Sequence, residues 1–267
     1  MELYYEIIEG TDPEATPIYL LHTIPLDGNY LRTSLDGIDH KNTIVSLDFR
    51  DHGRSDDSKR KNQLKFRTFA NDVNNLRKSL GHKNVILFAH GIGGFVALKF
   101  LMWHRKNVEK LVLFETAVDS KYRRKLAWNI RERFSNQVKD LLEPFKMNAS
   151  ATALEVKFYQ SFAMHFSTPN YTKAKYLMES SNKMGLLAYA LMHKEFDEYN
   201  MKGIGRKYRG SCLLIRANGS LWPEEEHTRL KKEFPQSQEL ILDKGGHYCM
   251  VEDPSYFWMS IMEKIEE

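Results

Sequence analysis

Apolar positions along this chain gather into short continuous runs, separated by stretches in which they recur at helical spacing. The runs are Pro17 to His22, Thr43 to Asp48, Asn84 to Phe88, Lys110 to Phe114, Cys212 to Arg216 and Glu239 to Asp243. Each has strand length and is rich in β-branched and aliphatic residues, and continuous apolarity suits strands covered on both faces of a parallel sheet. Leu3 to Ile8 adds an antiparallel edge strand. Between the runs, Phe66, Phe69, Val73, Leu76 and Leu80 mark one face of a helix that Gly81 stops. Phe95 to His104 forms a second helix, and Pro254 opens a last one carrying Phe257, Ile261 and Ile265. This alternation predicts an α/β protein, a doubly wound and mostly parallel sheet with right-handed crossovers.

From Ser120 to Gly203 the strand pattern stops. The segment is helical in spacing, aromatic and rich in methionine, with Met147, Met164, Met178, Met184, Met192 and Met201. The expected division is a core of residues 1–119 and 204–267 with a helical cap of residues 120–203. A cap there lies over the carboxyl ends of the strands, where open α/β sheets bind ligands. It is expected to close a mainly apolar pocket above Gly91 and His247; the alternative is that the methionines fill the insertion's own core.

Val85 to Lys99 carries the candidate chemistry. An apolar run enters a glycine-rich turn and a helix leaves it, the frame of G-x-S-x-G, in which a strained turn lifts a nucleophile above the sheet. Here the frame reads Ala89-His90-Gly91-Ile92-Gly93, so the nucleophile position holds Gly91, which has no side chain to attack with. Of ten histidines, His247 has the most telling context: it follows a strand and two glycines and precedes the last helix.

These blocks together resemble the α/β-hydrolase superfamily, of the small esterase and lactonase type, over essentially the whole chain. Leu20 to Asp27 is similar to the strand whose following loop supplies an oxyanion-hole amide. Leu47 to Asp56 is similar to the D-x-R-G-x-G-x-S segment, His90 to Gly94 to the elbow, and Gly245-Gly-His247 with Glu252 to Pro254 to the terminal histidine loop. The resemblance implies acyl transfer by a serine that a histidine activates and a carboxylate orients. It assigns His247 as base and the amides of Ile92 and of Thr23 or Ile24 as the oxyanion hole. His22, His52 and His90 brace loops. The acid position after the Cys212 strand holds Ser220, and Glu224, Glu225 and Glu226 fall in a helix's first turn, where acids suit the dipole regardless of catalysis. Glu115 and Asp119, after the Lys110 strand, are the alternative acids, with Ser220 and water as the remaining partners for His247. Two further departures are Thr23 and Asp51, each where a glycine is expected.

The function so implied is that of a carboxylic ester or lactone hydrolase without its serine. Three readings of Gly91 stay open: an ordinary hydrolase whose serine has been replaced, a non-catalytic small-molecule-binding pseudo-hydrolase, or a histidine-based lyase or oxygenase reaction that needs no nucleophile.

Composition narrows the partners. The net charge of +4 rests on 39 basic and 35 acidic residues spread along the chain, a solvated surface rather than a nucleic-acid or membrane face. The basic clusters Lys121 to Lys125 and Arg206 to Arg209 read the same way. Cys212 and Cys249, the two cysteines, lack a metal-ligand spacing, and no metal or cofactor is expected. No apolar run nears the ~20 residues that span a bilayer. Met1-Glu-Leu-Tyr-Tyr-Glu has no basic and apolar leader pattern, so a cytoplasmic protein is expected, with a small-molecule ligand or ester substrate under the cap.

Overall fold

A computed structural model of the chain describes residues 1–134 and 151–266. Seven strands form one sheet: β1 (Tyr5–Ile8), β2 (Ile18–Leu21), β3 (Ile44–Leu47), β4 (Val85–His90), β5 (Val108–Phe114), β6 (Ser211–Ala217) and β7 (Gln238–Leu242). Their spatial order is β1-β3-β2-β4-β5-β6-β7. β1 pairs antiparallel with β3, and every other pairing is parallel.

The strand residues divide by the two-residue period of extended chain. Tyr19, Leu21, Val45, Leu87, Ala89, Leu111, Leu113 and Leu214 point into one core. Ile18, Leu20, Ile44, Ile86, Phe88, Val112, Phe114 and Ile215 point into the other. Both faces are covered, which is why these strands read as unbroken apolar runs rather than alternating ones. The β1 edge, by contrast, is only partly buried.

The helices sort to the two faces. α1 (Asn29–Thr33) follows β2, α2 (Phe66–Ser79) follows β3, and α3 (Gly93–His104) leaves β4 directly. Phe66, Phe69, Val73 and Leu76 of α2 are buried, and Gly81 ends the chain's turn at φ +73°, where a side chain would be strained. Between β5 and β6 run α4 (Tyr122–Phe134), α5 (Ala151–Met164), α6 (Tyr171–Ser180), α7 (Leu186–Leu191) and α8 (His193–Asp197). The chain enters and leaves this segment side by side. Ser120 N–H donates to Tyr199 O and Met201 N–H to Val118 O, at 2.9 and 2.8 Å. α9 (Glu224–Glu233), α10 (Cys249–Glu252) and α11 (Pro254–Glu266) complete the chain.

The methionines of the inter-strand segment act as filler. Met192 and Met201 are fully buried, and Met164, Met178 and Met184 pack partly buried against the cores. Met147 lies outside the described residues. Among the described residues, no helix is long and apolar enough to cross a membrane.

Candidate active site

β4 is buried along its whole length and ends at His90. Gly91 then takes φ +54°, its N–H donates to Phe114 O at 2.9 Å, and α3 starts two residues later. The turn is tight enough to dictate its glycines. A Cβ on Gly93 would lie 2.3 Å from Leu21 O, and one on Gly94 would lie 2.2 Å from Thr116 Oγ1. Neither space admits a carbon.

Gly91 has a different neighbourhood. A Cβ built there would stand 3.2 Å from His247 Nε2 and 2.6 Å from Thr23 Oγ1. The imidazole therefore faces the place where a side chain at 91 would begin, and the threonine side chain occupies that place. Thr23 Oγ1 also accepts the Ile92 N–H at 3.2 Å, so the amide after Gly91 is already engaged by the protein's own hydroxyl. The Thr23 N–H in turn donates to Tyr30 Oη at 3.0 Å, and Tyr30 Oη meets His90 Nδ1 at 2.7 Å. Ile24 is buried in the same loop. Gly91, Thr23, Ile92 and His247 are all buried.

The loop that carries Thr23 is fixed by histidine. His22 Nε2 accepts the Phe49 N–H at 2.9 Å, so its other nitrogen, Nδ1, carries the proton and donates to Thr23 O at 3.1 Å. Burial makes this neutral form strongly preferred and lowers the His22 pKa to about 4. His52 is held the same way, its Nδ1 on Arg50 O at 2.8 Å and its pKa lowered by burial to about 3. The nearby Asp51 adopts φ +63°, and its carboxylate accepts the Ser58 N–H at 3.1 Å. An aspartate with local hydrogen bonds tolerates this left-handed backbone, which explains how it replaces a glycine.

On the other side of Gly91 the groups form a closed network. Glu115 follows β5 at φ +47°, an unusual backbone for a glutamate, and its carboxylate is fully buried. Oε1 accepts the Ala217 N–H at 3.1 Å. Oε2 accepts the Ser220 hydroxyl at 2.6 Å and lies 2.7 Å from His247 Nδ1. With Nδ1 held against the carboxylate, Nε2 is the nitrogen aimed at Gly91. Trp222 stacks on the His247 ring at 5.3 Å and 7°, its backbone N–H on Ser220 Oγ and its indole N–H on Thr116 O, both at 3.0 Å. The His247 N–H donates to His165 O at 2.8 Å.

Asp119 is elsewhere engaged, pairing with Arg229 and with Lys202 at 3.1 Å. Glu224, Glu225 and Glu226 lie in the first turn of α9, and none touches His247. The neighbouring rings are neutral: burial lowers His165 to about 3 and pushes His90 well down. Cys249 is buried and its thiol is pushed up to about 12, so it is no thiolate nucleophile. Among the described residues, no group of three or more His, Cys, Asp or Glu side chains is placed to hold a metal ion.

Tyr30 and Trp222 belong to this site and carry no motif of their own. Tyr30 is the second residue of the short α1 after the Thr23 loop, and Trp222 lies two residues after Ser220. Beside the network lies a cleft of about 500 Å³ lined by Glu115, Ser220, Trp222, Arg216 and Glu224 among others. Its walls are largely polar and charged, and neither Gly91 nor His247 lines it, so it is a different place from the apolar pocket expected above those two residues.

The chain belongs to the alpha/beta hydrolase fold family, whose pattern it matches over residues 16–254. It is 21% identical over 238 residues to the proline iminopeptidase PfmaB of Pestalotiopsis fici, covering 84% of this chain and 82% of that protein. A stretch of 109 residues, 41% of this chain and 30% of the relative, is 28% identical to epoxide hydrolase 3 of Xenopus tropicalis. Among solved structures, an esterase from Exiguobacterium antarcticum superimposes with a TM-score of 0.76 over 99% of this chain and 96% of that one, at 16% identity. The fold is thus shared with proteins of several hydrolytic activities.

Proposed function

We propose that this chain is a hydrolase-fold protein that binds a small molecule without covalent acyl transfer, its nucleophile position empty at Gly91 and its oxyanion position filled by Thr23. The observation that carries the reading is the double placement of Thr23 Oγ1. It accepts the Ile92 N–H at 3.2 Å and stands 2.6 Å from the Cβ that any nucleophilic side chain at 91 needs. An acyl oxyanion requires that amide free and aimed at it. A threonine that satisfies the amide leaves neither the donor nor the space.

In this reading Glu115 and Ser220 share the role of the usual acid. Ser220 stands at the acid's position and donates to Glu115, and Glu115 orients His247. The helical segment 120–203 serves as the cap, and the ligand is a small molecule bound beneath or beside it.

A second reading is favoured by one observation. His247 Nε2, held by a buried carboxylate, faces the space above Gly91, an arrangement that suits a base in nucleophile-free proton transfer. The two readings part on a simple assay. Incubation with p-nitrophenyl acetate and butyrate, and then with a fluorophosphonate, is expected to give neither turnover nor labelling. Turnover without labelling, lost in His247→Gln, supports the second reading; labelling at any residue of this site overturns both.

A further inference from the structure

We infer that the cleft between the end of β6, α4 and the start of α9 is a binding site for a zwitterionic small molecule of amino-acid or short-peptide type. The cleft has a volume of about 500 Å³, within the range of small-molecule sites. Two ion pairs cross its walls. Lys125 of α4 meets Glu225 of α9 at 3.0 Å, and Arg216 of β6 meets Glu224 at 3.2 Å. The cations sit deeper: the Arg216 side chain is 24% exposed and that of Glu224 is 72% exposed.

Exposed pairs of this kind contribute little to stability, so their partners can be exchanged at small cost. A carboxylate can take the inner guanidinium in bidentate fashion, and an ammonium can take the outer glutamates. A ligand carrying one charge of each sign replaces the Arg216–Glu224 pair, leaves Lys125–Glu225 in place and leaves no charge unmatched. A simple anion on Arg216 strands Glu224, and a simple cation on Glu224 strands Arg216. Trp222 also lines the cleft, its ring stacked between His247 and Tyr122, so a ligand there meets the indole at its edge.

The site also touches the catalytic-type network. Trp222 stacks on His247, and Ser220, another wall residue, donates to Glu115. A ligand against Trp222 therefore alters the surroundings of the dyad without entering the space that Thr23 fills. This deepens the ligand-binding reading proposed above, and the two fail separately: fluorophosphonate silence tests the absence of acyl transfer, and titration tests the cleft.

The experiment is an NMR titration of the intact chain, following the Trp222 indole N–H, assigned with Trp222→Phe. The probes are L-phenylalanine, L-phenylalanyl-L-alanine, phenethylamine (cation only) and 3-phenylpropionate (anion only). The two zwitterions are expected to shift the signal saturably and more tightly than either singly charged probe. Arg216→Gln is expected to weaken them about tenfold, the loss of a charge-assisted hydrogen bond. Glu224→Gln with Glu225→Gln is expected to bring 3-phenylpropionate level with L-phenylalanine. The inference is overturned if no zwitterion saturates, if 3-phenylpropionate binds the unaltered protein as tightly as L-phenylalanine, or if Arg216→Gln leaves the affinity unchanged.

Discussion

The two sides of Gly91 differ in what they have kept. On the Glu115–His247 side the carboxylate is matched by Ala217, Ser220 and His247, the ring is clamped by Trp222, and His247 Nε2 is left aimed at Gly91. On the Thr23 side the two loop amides are engaged by the protein's own hydroxyls. Ile92 N–H meets Thr23 Oγ1, Thr23 N–H meets Tyr30, and Tyr30 meets His90. One side presents a nitrogen to a reacting atom and the other presents none. A buried amide costs free energy when unpaired, so a protein without a substrate oxyanion gains by capping that amide with its own hydroxyl. The base side carries no such conflict, because Glu115 and His247 satisfy one another whether or not chemistry follows.

Acidification is expected to have the largest effect, and it bears on the buried histidines of both sides. His22 (about 4), His52 (about 3) and His165 (about 3) all titrate below the ordinary histidine value of about 6.5. Lowered values mean that the unfolded chain binds more protons, so stability is fully present above about pH 6.5 and is lost as pH falls toward 4. Asp48, raised by burial to about 6, works in the opposite sense between about pH 6 and 4. His90 is lowered too, and burial raises Asp72 and Glu226 as it does Asp48, so four histidines against three carboxyls leave a net uptake of about one proton, or ~1.4 kcal/mol per pH unit near pH 5. Urea midpoints measured between pH 7 and pH 4.5 check this; a flat profile contradicts the neutral, buried histidines on both sides of Gly91.

Breaking the other side comes next. Glu115→Ala removes one member of a buried pair and strands His247 and Ser220, and it is expected to cost about 3–5 kcal/mol in chemical denaturation. A loss below about 1 kcal/mol, the worth of an exposed pair, shows that the network is not what fixes this side.

The comparison is sharpened by Gly91→Ser, with a smaller cost of about 1–3 kcal/mol from crowding and a left-handed backbone. Because the crowding comes from Thr23 Oγ1, at 2.6 Å from the new Cβ, Thr23→Gly is expected to recover part of it. A double-mutant cycle read by thermal or urea unfolding should show coupling of about 1 kcal/mol or more. Strict additivity separates the two positions and removes the argument for occlusion.

The sheet was readable in the sequence because burial on both faces leaves an unbroken apolar run. β2 and β3 fall within the expected bounds, while β4 continues two residues past Phe88 to His90, where apolarity gives way to the turn. The elbow was readable because its tight turn dictates small residues, Gly93 against the backbone of Leu21 and His22 and Gly94 against the Thr116 side chain. The partner of His247 was not. Glu115, Asp119 and Ser220 all stood in range, and the choice rests on a positive φ at Glu115 that turns its carboxylate toward the end of β6. Nor was the role of Thr23 readable. Its hydroxyl meets an amide 69 positions away, and the sequence showed only that a glycine was missing from its loop.

The central claim, that Thr23 stands in for both the oxyanion and the missing side chain, is tested most directly by fluorophosphonate labelling of three variants: Gly91→Ser, Thr23→Gly, and the two combined. The account predicts labelling at position 91 in the combined variant, at best slow labelling in Gly91→Ser alone, and none in Thr23→Gly. Labelling of Gly91→Ser as fast as that of the combined variant would contradict it, since the threonine would then obstruct nothing.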